Sequence, residues 1–524
     1  MTDITDQSTP GDPKPPPGGT VPPAPKPNET SPPAKVGTVQ DPLATGPQAK
    51  GVGVANLTGS EQIGEPAAQS FDRRLIEDPI VPTLLTFSLP LVWSSLMHSV
   101  VGTYSAAWVG QVIGPAGLTA VVICNVIIWM MLMSAIMGMA TASNIFIAQA
   151  YGAKNLTQMK TVTGTSIVFV VISSLVLASL GWIFTPALVA LISTPAEAVA
   201  QTIVYLRASC LASIAIFPFV FITIMIRGTG DARTPLVFTA IWLAMFCLIG
   251  PALLVGAAGL PKLGLAGMAY GGGLSAAIAL VMMLAWTHRQ RHALSLQPDE
   301  LTYLTPDRQM FSLLLRRGSP IALEGVLISG VYLFLLSMVN RYGAETSAAY
   351  SASTQLWGYV QMPIGAIAAS VSSIASQNIG AGRWDRVGEL AWKSCAVAGA
   401  ITTFLVVLIY GFGDLLLGLF LPDGGETLSI ALRINLLVMW SWIPLAVTLV
   451  LFGVVRANGA MMAPALIMIG ALWLIRIPFA EAMQPVLGAD AIWWSFPAGT
   501  ISCAALAYAY YRWGDWRSKT LMDG

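Results

Sequence analysis

Residues 109–121 read VGQVIGPAGLTAV and residues 147–155 read IAQAYGAKN, with a long apolar run between them. The pattern returns further on: VNRYGAETSAAY at 339–350, a second apolar run, then ASQNIGAGR at 375–383. Pro90 to Gly114 is 24 positions and Pro320 to Gly343 is 23, while Gln149 to Gly152 and Gln377 to Gly380 are each three. Matched turns at matched intervals imply a duplicated architecture, not two unrelated helix pairs that happen to share glycines.

The material between the turns sets the solvent. The chain is 55% hydrophobic and only 10% charged, with a mean hydropathy of +0.69, whereas soluble domains carry about a quarter charged residues. This is the composition of a membrane protein whose main partner is the lipid bilayer. A net charge of +1 gives no reason to expect nucleic acid. Cys124, Cys210, Cys247, Cys395 and Cys503 all lie in apolar runs without a CxxC pair, so they read as small buried hydrophobes. With three histidines and no zinc, haem or iron–sulfur spacing, no cofactor is expected. Residues 1–70 hold 14 of the 34 prolines and no aromatic residue. That composition buries too little apolar surface to offset ordering, so a disordered tail is expected.

Twelve runs are long enough for a hydrocarbon core of about 30 Å. Six precede residue 290 and six follow residue 311, and the second of each set, near 118–149 and 347–376, is long enough to require a bend or tilt. With twelve crossings, eighteen of the 27 Lys and Arg fall on the side of the N-terminus outside the tail, among them Arg227, Arg316, Arg317, Arg383 and Arg456. By the positive-inside rule both termini are then cytoplasmic. Six spans per half is even, so both halves insert the same way up, related by a pseudo-two-fold axis along the membrane normal. The fold expected is all-α and polytopic: a Pro-rich tail (1–70), a six-helix lobe (71–290), a linker (291–310), a second six-helix lobe (311–513) and a short cytoplasmic tail (514–524). Residues 83–89 and 311–317 have a helical apolar pattern, which predicts interfacial turns feeding helices that begin at Pro90 and Pro320.

A third correspondence joins the first two. MIRGTGDARTPL (225–236) follows the fourth span and VVRANGAMMAPAL (454–466) follows the tenth, with Arg227 and Arg456 229 positions apart. At this point the chain resembles the multidrug and toxic-compound extrusion (MATE) family of bacterial type. RGTGDARTP is similar to its signature loop, and WVGQVIGPAGLTAV, QAYGAKN, RYGAETSAAY and SQNIGAGR are similar to motifs at matching places in its two lobes. The resemblance covers about Leu75 to Arg512. It implies two six-helix lobes flanking a central cavity. It also implies a secondary transporter, not an enzyme, exporting small organic, often cationic, compounds from the inner membrane against inward proton or sodium flow.

The same resemblance exposes two departures. Many relatives carry an aspartate four positions before a VG pair in the first span, and that position here is Ser105. Many carry a glutamate eight positions after the seventh-span proline, and here that is Ile328. Glu324, one turn from Ile328 on the same face, is either a displaced coupling carboxylate or a first-turn charge interacting with the helix dipole. Further intramembrane polar groups are Asn125 and Asn144 in the second span and Gln355 and Gln361 in the eighth. Trp129 is four after Asn125 and Tyr359 four after Gln355, so each pair shares a face. Such faces suit either an aromatic cation or hydrogen bonding between helices. Arg476 and Glu481, five apart in the eleventh span, read first as structural partners, and Arg207 and Arg433 as cations reaching the outer headgroups. A monomer is expected. The alternative is a dedicated metabolite exporter or lipid-linked precursor flippase of related architecture, which basic groups facing the cavity would favour. An intramembrane enzyme lacks the paired acids or histidine cluster it needs, and a primary pump lacks a GxxxxGK[ST] loop.

Overall fold

The computed structural model describes residues 73–128, 133–191, 196–257, 259–421 and 424–519. The Pro-rich tail expected at 1–70 and Trp129 lie outside them. Every regular element among the described residues is helical. The first half passes from a single-turn α1 (Arg74–Glu77) into α2 (Ile80–Val112), α3 (Pro115–Ile127), α4 (Ser134–Gly152), α5 (Leu156–Leu191), α6 (Ala196–Arg227), α7 (Arg233–Val255) and α8 (Leu265–Arg289). The second half continues through α9 (Arg308–Asn340), α10 (Ala344–Gly380), α11 (Trp384–Gly411), the short α12 (Gly413–Gly418), α13 (Gly425–Val438) and α14 (Trp442–Ala457). It ends with α15 (Met462–Ile469), α16 (Ile477–Leu487) and α17 (Asp490–Trp513).

Nine helical segments among the described residues are long and apolar enough to cross a membrane. α10 and α17, at 37 and 24 residues, also have the length at 1.5 Å per residue. The pair α3 and α4 completes twelve. In the long second span of the first half, α3 and α4 lie on either side of residues 129–132, which are outside the described residues, while its counterpart α10 is continuous with Pro363 inside it.

The helices do not begin at the two prolines, as the sequence pattern had suggested. Pro90 lies inside α2 and Pro320 inside α9. The reason is packing. Ile80, Leu84, Phe87 and Leu91 of α2 join the hydrophobic core of the second lobe. Met310 and Leu314 of α9 join the core of the first, with Phe311 5.5 Å from Phe169 of α5. These turns continue their helices and pack one face against protein. Each one crosses to the opposite lobe, and the area it buries outweighs the single backbone hydrogen bond that an internal proline forfeits.

Candidate functional site

Where the two lobes meet, the repeat motifs face one another. A Cβ built on Gly152 would collide with the carbonyl oxygen of Gln377, and one built on Gly380 would collide with that of Gln149. Only glycine lets α4 and α10 cross this closely. The glutamines complete a reciprocal pair: Gln149 Nε2 donates to Ala457 O at 2.6 Å and Gln377 Nε2 donates to Gly228 O at 2.8 Å. Each side chain thus caps the loop after the fourth span of the opposite lobe. Asn144 adds a further link, donating to Ile224 O at 2.7 Å and accepting from Ser373 Oγ at 3.1 Å. Asn378 Nδ2 reaches Leu75 O at 3.0 Å. All of this lies at the arginine-rich end of the bundle.

Beside the seam is a cavity of about 900 Å³ whose lining includes Arg74, Asp78, Tyr151, Asp231, Arg233 and His292. Asp231 Oδ1 accepts from the backbone N–H of Arg233 and of Thr234, both at 3.0 Å, which caps α7. Its other oxygen lies 3.9 Å from His292 Nε2. Burial lowers the pKa of His292, and the Asp231 carboxylate opposes that shift.

Away from the seam the α10 surface opens. Ser351, Gln355 and Tyr359 are exposed at helical spacing on one face. Tyr359 stands eighteen residues from Gln377, about 27 Å along the helix. Gln361 is exposed too, but on a different face from Gln355, and Asn125 is exposed on α3.

Ser105 is buried, within reach of the Tyr205 hydroxyl of α6. Glu324 is buried at 6% exposure and its Oε2 lies 2.5 Å from Nη2 of Arg456. Since α9 begins at Arg308, Glu324 is not a first-turn charge. It is the acid half of a buried ion pair with the arginine of the tenth-span loop. The structure therefore joins Glu324 to Arg456 and Asn144 to the seam, and keeps Gln355 with Tyr359 on one face. Among the described residues no hydrogen bond links any two of Ser105, Asn125, Asn144, Glu324, Gln355, Tyr359 and Gln361.

The sequence reading overlooked Gln149 and Gln377 as functional groups, although their matched spacing to Gly152 and Gly380 carried the signal. It also paired Arg476 with Glu481, but Glu481 is exposed and no ion pair joins them among the described residues. Arg433 does not simply reach into headgroups, since its Nε donates to Asp490 at 3.1 Å. Among the described residues no three His, Cys, Asp or Glu side chains converge as metal ligands.

A seam shut at one end by helix backbones, with exposed polar side chains further along, suits a small solute admitted from one face. Comparison with known proteins gives this geometry its context. A family model, MatE, matches residues 90–250 and again 320–481. Probable multidrug resistance protein YoeA of Bacillus subtilis (strain 168) is 31% identical over 444 residues, covering 83% of this chain and 94% of that protein. Probable multidrug resistance protein YpnP of the same strain is 25% identical, covering 84% and 97%. Among solved structures, the outward-facing conformation of a multidrug resistance MATE family transporter of the MOP superfamily superposes with a TM-score of 0.78. It shares 17% identity and is covered over 98% of its length by 86% of this chain.

Proposed function

The chain belongs to the MatE family of membrane transporters, and from that premise we propose that it is a secondary active exporter of small organic compounds, many of them cationic. It works by alternating access, drawing on inward flow of protons or sodium, as a monomer in the bacterial inner membrane with both termini in the cytoplasm. The observation that carries this reading is the asymmetry of the lobe contacts. Gln149, Gln377, Gly152 and Gly380 join the lobes at the arginine-rich end, which is the cytoplasmic end by charge distribution. The polar face bearing Gln355 and Tyr359 stays exposed. This is the arrangement expected of a transporter open to the outside, where those two side chains meet an aromatic cation by hydrogen bond and ring face.

Within this reading Glu324 is the leading coupling group. Its carboxylate is taken up by Arg456 in this state, and it exchanges an ion only when that pair opens. The test is efflux of a fluorescent organic cation from energised everted vesicles, comparing the parent with Glu324→Gln at matched expression. Transport by the parent that is lost in the variant supports both export and coupling through Glu324. Equal transport by both removes Glu324 from coupling. No transport by the parent turns the reading toward a dedicated metabolite exporter or lipid-linked precursor flippase. One observation favours that second reading: Arg476 sits within a membrane span with no acidic partner among the described residues.

A further inference from the structure

The loops at 227–233 and 456–462 share a shape but not a charge. Gly230 and Gly459 each follow their arginine by three residues, with φ of 90° and 86°. Helices α7 and α15 then start six residues after the same arginines, at Arg233 and Met462. Yet Asp231 and Arg233 of the first loop stand where the second has Ala460 and Met462. Asp231 does cap α7, but α15 starts without a side-chain cap. The turn forms with neither charge, so building the fold does not account for the pair in the first loop.

The helices facing the two loops differ as well. Phe87 of α2 and Arg317 of α9 each stand three residues before their repeat proline, Pro90 or Pro320. Arg317 crosses to its loop, and its Nη1 donates to Gly459 O at 2.9 Å. Phe87 can donate no such bond and is 5% exposed in the core of the second lobe. On that side the loop borders the cavity of about 900 Å³ instead. Arg74, Arg233 and Arg291 line it against Asp78 and Asp231, a surplus of one positive charge when His292 is neutral. One Asp231 oxygen is already engaged by the α7 N–H groups.

The cleft is graded along its length. Pro79, Thr83, Thr86 and Pro90 line it at steps of three and four along one face of α2, a length of about 16 Å. Leu89, adjoining Pro90, and Val237 of α7 are 58% and 53% exposed, and both lie in apolar spans. The wall thus passes from charged at the arginine-rich end to hydroxyl-bearing and then apolar within the span. A basic pocket between membrane helices suits a lipid, its headgroup on the charges and its chain along the apolar wall.

We propose that this cleft binds a phosphate group through Arg233 and Arg291, presented by an anionic lipid headgroup or by a soluble phosphate ester. Arginine forks match phosphate oxygens in pairs, which gives direction as well as charge. A phosphodiester carries one negative charge and so balances the surplus in the lining. Seated there, the ligand ties α2, whose Leu84 and Phe87 pack in the second lobe, to the loop of the first. Arg317 makes the equivalent tie between α9 and Gly459 in the other half. None of this depends on what the protein carries.

The test uses the full-length protein purified in a neutral detergent. Its unfolding midpoint is followed while phosphatidylglycerol, phosphatidylcholine or glycerol phosphate is titrated in at constant ionic strength. Phosphatidylglycerol should raise the midpoint above the level reached with phosphatidylcholine. Arg233→Gln combined with Arg291→Gln should weaken the apparent affinity about tenfold or more. Thr86→Trp, which fills the cleft from an exposed position and removes no charge, should do the same. Arg308→Gln combined with Arg316→Gln takes two exposed charges from the same end outside the cleft and should bind like the parent. A rise with glycerol phosphate that the cleft variants lose identifies a soluble phosphate, and a rise confined to phosphatidylglycerol identifies a lipid. The site is overturned if the two lipids act alike and glycerol phosphate does nothing, if both arginine double variants lose affinity equally, or if Thr86→Trp leaves binding intact.

Discussion

Glu324 and Arg456 come from helices 132 positions apart and meet at 2.5 Å with little access to water. Removing one partner of such a pair strands a buried charge, at a cost of about 3–5 kcal/mol. Glu324→Gln should therefore lower the unfolding midpoint sharply in detergent. The double variant Glu324→Gln with Arg456→Gln should recover much of that loss, because no charge is left unpaired. A double variant as unstable as the sum of the singles would mean that the two residues act separately. His292 offers a second check. Its folded pKa lies below the ordinary 6.5, so the folded protein resists the proton that the unfolded chain accepts. Its contribution is fully present above pH 6.5 and is lost as pH falls from there through the folded value. Unfolding midpoints taken down that window should fall less steeply for His292→Gln than for the parent. Sequence alone could single out Glu324, since acids are scarce in the spans. It could not reveal the partner, because the pairing depends on how α14 returns to α9.

The helices carry a lesson about prolines. Residues 83–89 and 311–317 have apolar positions at helical spacing, and this much was legible. Their destination was not. An amphipathic stretch before a proline fits a turn lying on the membrane surface as well as a helix continuing through, and only the opposite lobe decides. Leu84 and Leu314 are 0% and 1% exposed, each in the core of the lobe its own helix does not belong to. Truncating a buried leucine leaves a cavity and costs about 2–5 kcal/mol. Leu84→Ala and Leu314→Ala should each lower the unfolding midpoint by a comparable amount. If these turns lay on the membrane surface instead, both variants would melt like the parent.

At the scale of the whole molecule, the repeat read from the sequence becomes a physical two-fold. Twelve spans and their arrangement in two lobes follow from turn spacing and charge skew, because composition fixes which segments enter lipid and arginine fixes which end stays out. What the sequence could not supply was how the seam closes, since that depends on contacts between helices far apart in the chain. In this structure the closure rests on equivalent elements from each half. Gln149 reaches Ala457 O and Gln377 reaches Gly228 O. Each bond contributes about 1 kcal/mol, which is small beside the folding energy but not beside the few kcal/mol separating two transporter conformations. Gln149→Leu and Gln377→Leu should therefore act alike, and together they should open the arginine-rich end without unfolding the protein. Spin labels at the exposed positions Asn155 and Arg383, introduced as cysteines after replacing the five native ones, report the separation across the seam. Each single variant should add a minor population at longer distance, and the double variant should make it substantial, since two bonds lost amount to roughly a thirtyfold shift at 1.4 kcal/mol per tenfold. An unchanged distance distribution in the double variant would mean that the glycine crossing of α4 and α10 alone holds the end shut, leaving the glutamines as passive caps on the loops they touch.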